Sequence, residues 1–282
     1  MAYLMIDHVS KVFPSHDGGG NVCIFHDVTL KIDQGEFVTV IGHSGCGKST
    51  LLNIIAGLET PSEGGIILNG RETSGPGLDR MVVFQSFALM PWMTVFDNIA
   101  IAVRSAYPNW TKAQVTAHVN KYIQLVGLQG AERRRPAALS GGMKQRVGLA
   151  RAFSIEPKVL LLDEPFAQID ALTRGTIQEE LIQMWNTTRN TVFMVTHDVD
   201  EAILLSDRIM LMTNGPSSQI AEIVDVNIPR PRSRVTVIED PTYYKIRNHI
   251  IHFLVRHSKQ EETDMEHESQ KPVHGEPLQV SF

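Results

Sequence analysis

Residues 42–50 read GHSGCGKST, three glycines and one lysine in nine positions, closing on two hydroxyl residues. Gly42, Gly47, Lys48 and Ser49 stand at the spacing G-x-x-x-x-G-K followed by Ser or Thr, the phosphate-loop pattern. Backbone N–H groups that must converge on a polyanion need residues without a Cβ, because a side chain there would hold the phosphates away. A helix that starts at the loop adds its positive N-terminal end. On this reading Gly42, His43, Ser44, Gly45, Cys46, Gly47, Lys48, Ser49 and Thr50 cradle a nucleotide. Lys48 reaches the β- and γ-phosphates, and the Ser49 hydroxyl ligates Mg²⁺. The plainer alternative is a glycine-rich turn beside a surface lysine. It does not account for the apolar run EFVTVI leading in or the helical pattern STLLNIIAGL leading out.

A nucleotide loop needs a metal partner and a group that activates water. The run VLLLDEP supplies two adjacent acids at the end of a continuous apolar strand. Asp163 is expected to hold Mg²⁺ and Glu164 to polarise the attacking water. The alternative is an acid pair capping a helix, which suits either residue alone better than both. His197, in MVTHD, sits at another strand end, where an imidazole meets a γ-phosphate; a lone histidine is more often structural, so it gains weight from its company.

Bulk composition limits what surrounds this chemistry. Of 282 residues, 43% are hydrophobic and 20% charged, and 26 Lys and Arg against 31 Asp and Glu give a net charge of −5. That balance argues against a nucleic-acid partner, whose footprint is a basic face. No run approaches the roughly 20 apolar residues that cross a bilayer. The start MAYLMIDHVSKVF lacks the pattern of a signal peptide. The 2 cysteines cannot form a disulfide framework, which fits a reducing compartment.

Along the chain, YLMIDHV and CIFHDVTLKI alternate as half-buried strands do, and GGIILNGRE reads as a further strand and turn. From 87 to 154 the period becomes helical, as in TKAQVTAHVNKYIQLVGL. KVLLLDEP and TVFMVTHD then return to the continuous apolar runs of buried parallel strands. Beyond IPRPRSR lies one helix candidate over 241–257, and the polar, acidic stretch 258–282 reads as disordered. An α/β core interrupted by a helical insert, then resumed, is the expected architecture.

The stretch LSGGMKQR, residues 139–146, carries a family resemblance: it resembles the signature of the ATP-binding-cassette (ABC) ATPases, which begins LSGG. With the phosphate loop and the acidic strand end, the resemblance covers residues 3 to 225. It implies an α/β P-loop NTPase fold, an ABC nucleotide-binding domain with a RecA-like core, an N-terminal antiparallel β subdomain and an inserted α-helical subdomain. Domain bounds follow: an ATPase domain over 1–230 (core 1–86 and 155–230, helical subdomain 87–154), a helical extension over 231–257 and a tail over 258–282. ATP and Mg²⁺ are the implied ligands. Ser140, Gly141 and Gly142 form a second small-residue turn ahead of a helix, and in this family it closes over the ATP of a second ATPase subunit in a head-to-tail dimer. Gln85 matches the glutamine that touches Mg²⁺ and links core to insert, Phe13 the aromatic that stacks on adenine, and Asp170 the loop aspartate after the acidic strand. Gln168, Met143 and Lys144 depart from the commonest pattern.

Three kinds of machine share such a cassette: importer motors, soluble translation or repair proteins, and exporters. Translation types carry two cassettes, repair types long coiled coils, and exporters fused membrane helices, and none of these is in this sequence. The importer reading places the chain peripherally on the cytoplasmic side of the cell membrane, with permease subunits and, indirectly, a substrate-binding protein. SFALMPWMTVFDNI, unusually apolar after Gln85, suits a permease's coupling helix. LMPW, DALTRG, MTNGP and RPRSRVTVIEDPTYYKIRN are similar to the nitrate/sulfonate/taurine importer branch and look most like its nitrate members. Bicarbonate and cyanate importers share these features, with sulfonate and taurine importers more distant.

Overall fold

Phe37–Ile41 is buried at every position, and its side chains alternate between two separate hydrophobic cores. A strand that is apolar on both faces must be covered on both. The computed structural model describes residues 2–15 and 19–269. In it, strands β1 (Leu4–Pro14) and β2 (Asn21–Ile32) come first, and the buried strand is β3. Helix α1 (Lys48–Ala56) follows the glycine loop, then strands β4 (Glu63–Leu68), β5 (Arg71–Glu72) and β6 (Arg80–Val83). Helices α2 (Val95–Ala106), α3 (Lys112–Leu125) and α4 (Gly141–Phe153) precede β7 (Val159–Asp163). The rest is α5 (Ala171–Thr188), β8 (Thr191–Val195), α6 (Val199–Leu205), β9 (Arg208–Met212), β10 (Ile220–Asp225), α7 (Arg234–Glu239) and α8 (Pro241–Ser269).

Among the described residues these strands form two sheets. One is antiparallel, in the order β2-β1-β4-β5; the other runs β10-β9-β3-β8-β7-β6. Within the larger sheet β9, β3, β8, β7 and β6 are mutually parallel, and β10 closes the edge antiparallel to β9. Phe37 and Ile41 face the core shared with α2–α6 and α8; Val38 and Val40 face the core shared with α1 and the antiparallel sheet. The connections place the loops after β3, β7 and β8 at the same, carboxyl end of parallel strands, where open α/β sheets hold their ligands.

Between β6 and β7 the described chain is helical. Thr94, Thr111 and Ser140 cap α2, α3 and α4, and Thr111 forms a reciprocal capping box with Gln114. Ile99, Val103, Val119, Ile123 and Val147 bury the facing stripes of these helices against the core that reaches β3. Past the sheet, α8 runs on to Ser269, twelve residues beyond the 257 expected from the sequence. The added stretch SKQEETDMEHES is mostly strong helix formers and has no Pro or Gly, so nothing local stops the helix. Residues 270–282, the remainder of the expected disordered tail, lie outside the described residues.

Trp185, 1% exposed, closes the end of the core under β3. Its Nε1 donates to the Asn190 carbonyl at 2.9 Å, Phe37 meets it edge-on, and the guanidinium of Arg230 lies 4.2 Å from its ring centroid. Trp185→Ala removes all three contacts. It is expected to destabilise the chain by about 3–5 kcal/mol, read as a lowered urea midpoint at unchanged m-value.

Candidate functional site

The loop after β3 is shaped by two left-handed glycines, Gly45 (φ 83°) and Gly47 (φ 91°). A Cβ on Gly47 would stand 2.6 Å from the Phe25 ring and 2.7 Å from Ile24, whereas one on Gly45 would meet nothing within 4 Å. Gly47 is thus fixed by the packing of β2 behind the loop, and Gly45 by its dihedral alone. The Lys48 ammonium, 8% exposed, donates to the carbonyls of Gly42 and His43, both at 2.7 Å. A buried ammonium needs such partners. Cys46 is wholly buried beneath the loop, its thiol 3.8 Å from Lys48 Nζ, and burial pushes its pKa up. His43 turns away as well, its Nε2 meeting the Leu254 carbonyl of α8 at 2.8 Å, close to where Asn214 donates to the His257 carbonyl at 2.8 Å.

The acids arrive from β7. Ser49 Oγ donates to Asp163 Oδ1 at 2.9 Å. Burial raises the Asp163 pKa and the charge of Glu164 adds to this, while the Ser49 bond and Lys48 oppose it. Glu164 holds a left-handed φ of 44°, unusual for a residue with a Cβ, and its N–H is pinned to the Val195 carbonyl at 2.9 Å. Such dihedrals persist where the surroundings enforce them, and they collect at functional sites. The turn brings Glu164 Oε2 within 3.1 Å of Gln85 Nε2 and 3.4 Å of His197 Nδ1.

Gly42, Ser44, Gly45, Gly47, Lys48, Ser49 and Thr50 line one open cleft of about 390 Å³, with Glu164, His197 and Ile24. Residues from four separate stretches, the glycine loop, Gln85, the acid pair and His197, therefore meet through direct contacts. Beside the cradle, Ser49, Asp163 and Gln85 offer oxygen donors only, few in number. That set suits Mg²⁺, which is bound through one or two carboxylates and takes much of its shell from phosphate and water. Among the described residues no group of three or more His, Cys, Asp or Glu forms a self-sufficient metal cage.

Other expected residues lie elsewhere. Ser140 caps α4, accepting from the Met143 N–H at 3.3 Å, and is not part of the cleft lining. A Cβ on Gly141 would sit 3.0 Å from the Gln168 carbonyl, and one on Gly142 would sit 2.6 Å from Thr173. The small residues here let the start of α4 lie against the loop and first turn of α5. Asp170 caps α5, and the Thr173 N–H on its carboxylate holds its pKa low. Phe13 is on β1 with Lys11 Nζ 4.5 Å above its ring; the apolar residue that lines the cleft is Ile24 on β2. No sequence signal marked Ile24, which looks like any other residue of an alternating strand.

A family model described as ABC transporter matches residues 25–167. The chain belongs to the ABC transporter family. Similar curated proteins include the nitrate import ATP-binding protein NrtC of Synechocystis sp., 52% identical over 90% of this chain and 38% of its own length. The bicarbonate transport ATP-binding protein CmpC of the same organism is 54% identical over 89% of this chain and 38% of its length. The chain thus spans well under half of these first relatives. It matches 92% of the nitrate import ATP-binding protein NrtD of Synechococcus elongatus, at 49% identity over 90% of this chain. Among solved structures, the dimeric bacterial ABC transporter cassette MJ0796 is 28% identical and superposes with a TM-score of 0.72, over 80% of this chain and all of that one.

Gly47→Ala tests the loop. The left-handed φ costs an alanine about 1–2 kcal/mol before any clash with Ile24 and Phe25. Affinity for a fluorescent ATP analogue is expected to fall at least about tenfold, read by titration.

Proposed function

We propose that this chain is the ATP-hydrolysing subunit of an ABC importer that takes up nitrate, working with permease subunits and a substrate-binding protein. One observation carries the reading. Ser49, Asp163, Gln85, Glu164 and His197 converge on a phosphate loop in a chain about half identical, over nine-tenths of its length, to proteins named for nitrate import. Bicarbonate is the second reading, favoured by the equal likeness to CmpC. Turnover of the reconstituted complex, measured with nitrate, bicarbonate or cyanate and the cognate binding protein, tests the choice. Stimulation by nitrate alone supports the first reading, and stimulation by bicarbonate alone replaces it.

In this role Lys48 exchanges its loop carbonyls for the β- and γ-phosphates of ATP. Ser49, Asp163 and Gln85 hold Mg²⁺, which when bound offsets negative charge on the phosphate oxygens. Glu164 takes a proton from the attacking water, with Gln85 and His197 fixing its carboxylate. His197, 67% exposed at its side chain, is free to meet the γ-phosphate. Ser140, Gly141 and Gly142, away from the cleft of their own chain, close the cleft of a second ATPase subunit. The dimeric assembly of the MJ0796 cassette supports this arrangement. Phe13, paired with Val22 two residues before Ile24, is retained as the adenine platform.

Among the described residues no helix is long and apolar enough to cross a membrane, and on this reading membrane coupling comes through a docking surface. An apolar groove of about 550 Å³ runs past Leu58, Leu78, Met81, Phe84, Met90 and Ile101. Ile101 also lines the neighbouring depression that holds Trp92, 66% exposed. Asn98, fully buried, clamps the rim by bonding the backbone of Met90, Met93 and Thr94. An amphipathic helix of the permease fits such a groove. The resulting position is peripheral, on the cytoplasmic face.

Glu164→Gln is expected to lower turnover by on the order of 100-fold or more while ATP still binds, measured by phosphate release and by nucleotide trapping. Ile101→Glu is expected to abolish co-purification with the permease and leave ATP affinity within about twofold of the parent, measured by pull-down and titration.

A further inference from the structure

Glu201 is 5% exposed, in α6, one turn beyond His197. Burying a carboxylate is costly, and a glutamine would fill the same space with no charge to desolvate. The hydrogen bonds show what the acid does. Its Oε2 accepts from the Thr196 hydroxyl at 2.8 Å, and its Oε1 accepts from Gln178 Nε2 of α5 at 3.0 Å. The same Thr196 oxygen accepts the Asp198 N–H at 3.1 Å. Asp198 Oδ1 in turn takes the N–H groups of Asp200 and Glu201, at 2.9 and 3.0 Å. Both residues flanking His197 are therefore held from one buried oxygen pair.

Resting on the ATPase reading above, we propose that Glu201 is a positioning residue for His197. Through Thr196 and Asp198 it fixes the turn that aims the imidazole at Glu164 and the γ-phosphate, and through Gln178 it ties that turn to α5. The guanidinium of Arg174 on α5 adds to the tie, 3.7 Å from Asp198 Oδ2 and 4.0 Å from Glu201 Oε1. Arg174 also donates to the Ile169 carbonyl at 3.2 Å, in the loop capped by Asp170. The His197 turn and the Asp170 loop are thereby braced against each other inside one chain.

Charged groups face Glu201 from several elements. Asp198 caps its own helix and Asp200 lies on it, with Arg174 on α5 and Arg234 on α7, all lining one cleft of about 440 Å³. Asp200 is engaged by Tyr243 and Arg247 of α8, both at 2.8 Å. Burial first and Asp198 second push the Glu201 pKa up to about 7, against the pull of Thr196, Arg174 and Gln178. Protonation at Oε2 reverses the Thr196 bond: the carboxyl then donates to a Thr196 oxygen that already accepts the Asp198 N–H, and the turn is held less firmly. Turnover is therefore expected to rise with pH through this range. Stability moves the other way. A carboxyl whose folded-state pKa is raised contributes stability that is full below the unfolded value and lost as pH rises through about 7.

These opposite slopes separate positioning from simple structural support, in which turnover would follow stability. The experiment uses the full chain reconstituted with its membrane partners, MgATP as substrate, and thermal melts in parallel. Glu201→Ala is expected to lower kcat about tenfold near pH 8 while KM for ATP moves less than about twofold. Glu201→Gln, which like the protonated acid offers one acceptor and one donor, is expected to show across this range the lowered kcat that the parent reaches near pH 6, and so to lose the parent's pH limb. It should also lose the parent's fall in melting temperature over the same range. Three results overturn the proposal: kcat within about twofold of the parent in Glu201→Ala, a rise in KM that matches the loss in kcat, or an unchanged pH limb in Glu201→Gln. If Glu201→Ala does not fold, the pH limb of Glu201→Gln decides. Absence of any turnover in the parental complex overturns the ATPase reading itself, and this inference with it.

Discussion

Backbone amides can face a polyanion at the end of β3 only while Gly47 stays free of a Cβ, and β2 enforces that freedom by pressing Ile24 and Phe25 behind it. The loop is thus held by a strand of the other sheet, and the seam between the two sheets forms part of the site. Position follows from the strand order. With β8 and β9 on either side, β3 is buried in the middle of the sheet, and the turns after β7 and β8 open beside its loop. Asp163, Glu164 and His197 come together with the glycine loop because β7, β8 and β3 end at one level.

The acids and the histidine are further linked by one atom. Glu164 Oε2 receives both Gln85 and His197. Gln85 follows the edge strand β6, and His197 follows β8. A displacement of either reaches the carboxylate proposed to act on the attacking water. The left-handed backbone at Glu164 gives that carboxylate little freedom to relax, because its N–H is bonded to β8.

Most of this was legible in residues whose chemistry is local. The apolar runs of β3, β7 and β8, the glycine loop and the acid pair each announce themselves within ten positions, because a buried parallel strand and a phosphate cradle tolerate few alternatives. What stayed hidden depends on partners remote in the chain. Ile24 becomes a cleft residue only because β2 packs behind Gly47. Ser140, Gly141 and Gly142 read as an anion site, yet within one chain the missing Cβ of Gly141 also serves the close approach of the Gln168 carbonyl. Glu201 gave no signal, since a glutamate in an amphipathic helix is ordinarily solvated, and its burial follows from α5 packing over α6. The C-terminal helix was underestimated for a simpler reason: polar composition alone suggested disorder, although the same residues are good helix formers.

The folded-back posture of Lys48 has a consequence for selectivity. Its ammonium keeps its charge but is solvated by two carbonyl dipoles, so an incoming anion has to outcompete contacts the loop makes with itself. A solute offering one weakly basic oxygen gains almost nothing by that exchange. A chain of phosphates presents several oxygens to the amides together, and covers the loss many times over. On the ATPase reading proposed above, discrimination against small anions would begin with this rivalry inside the loop, ahead of any contact with the base or sugar.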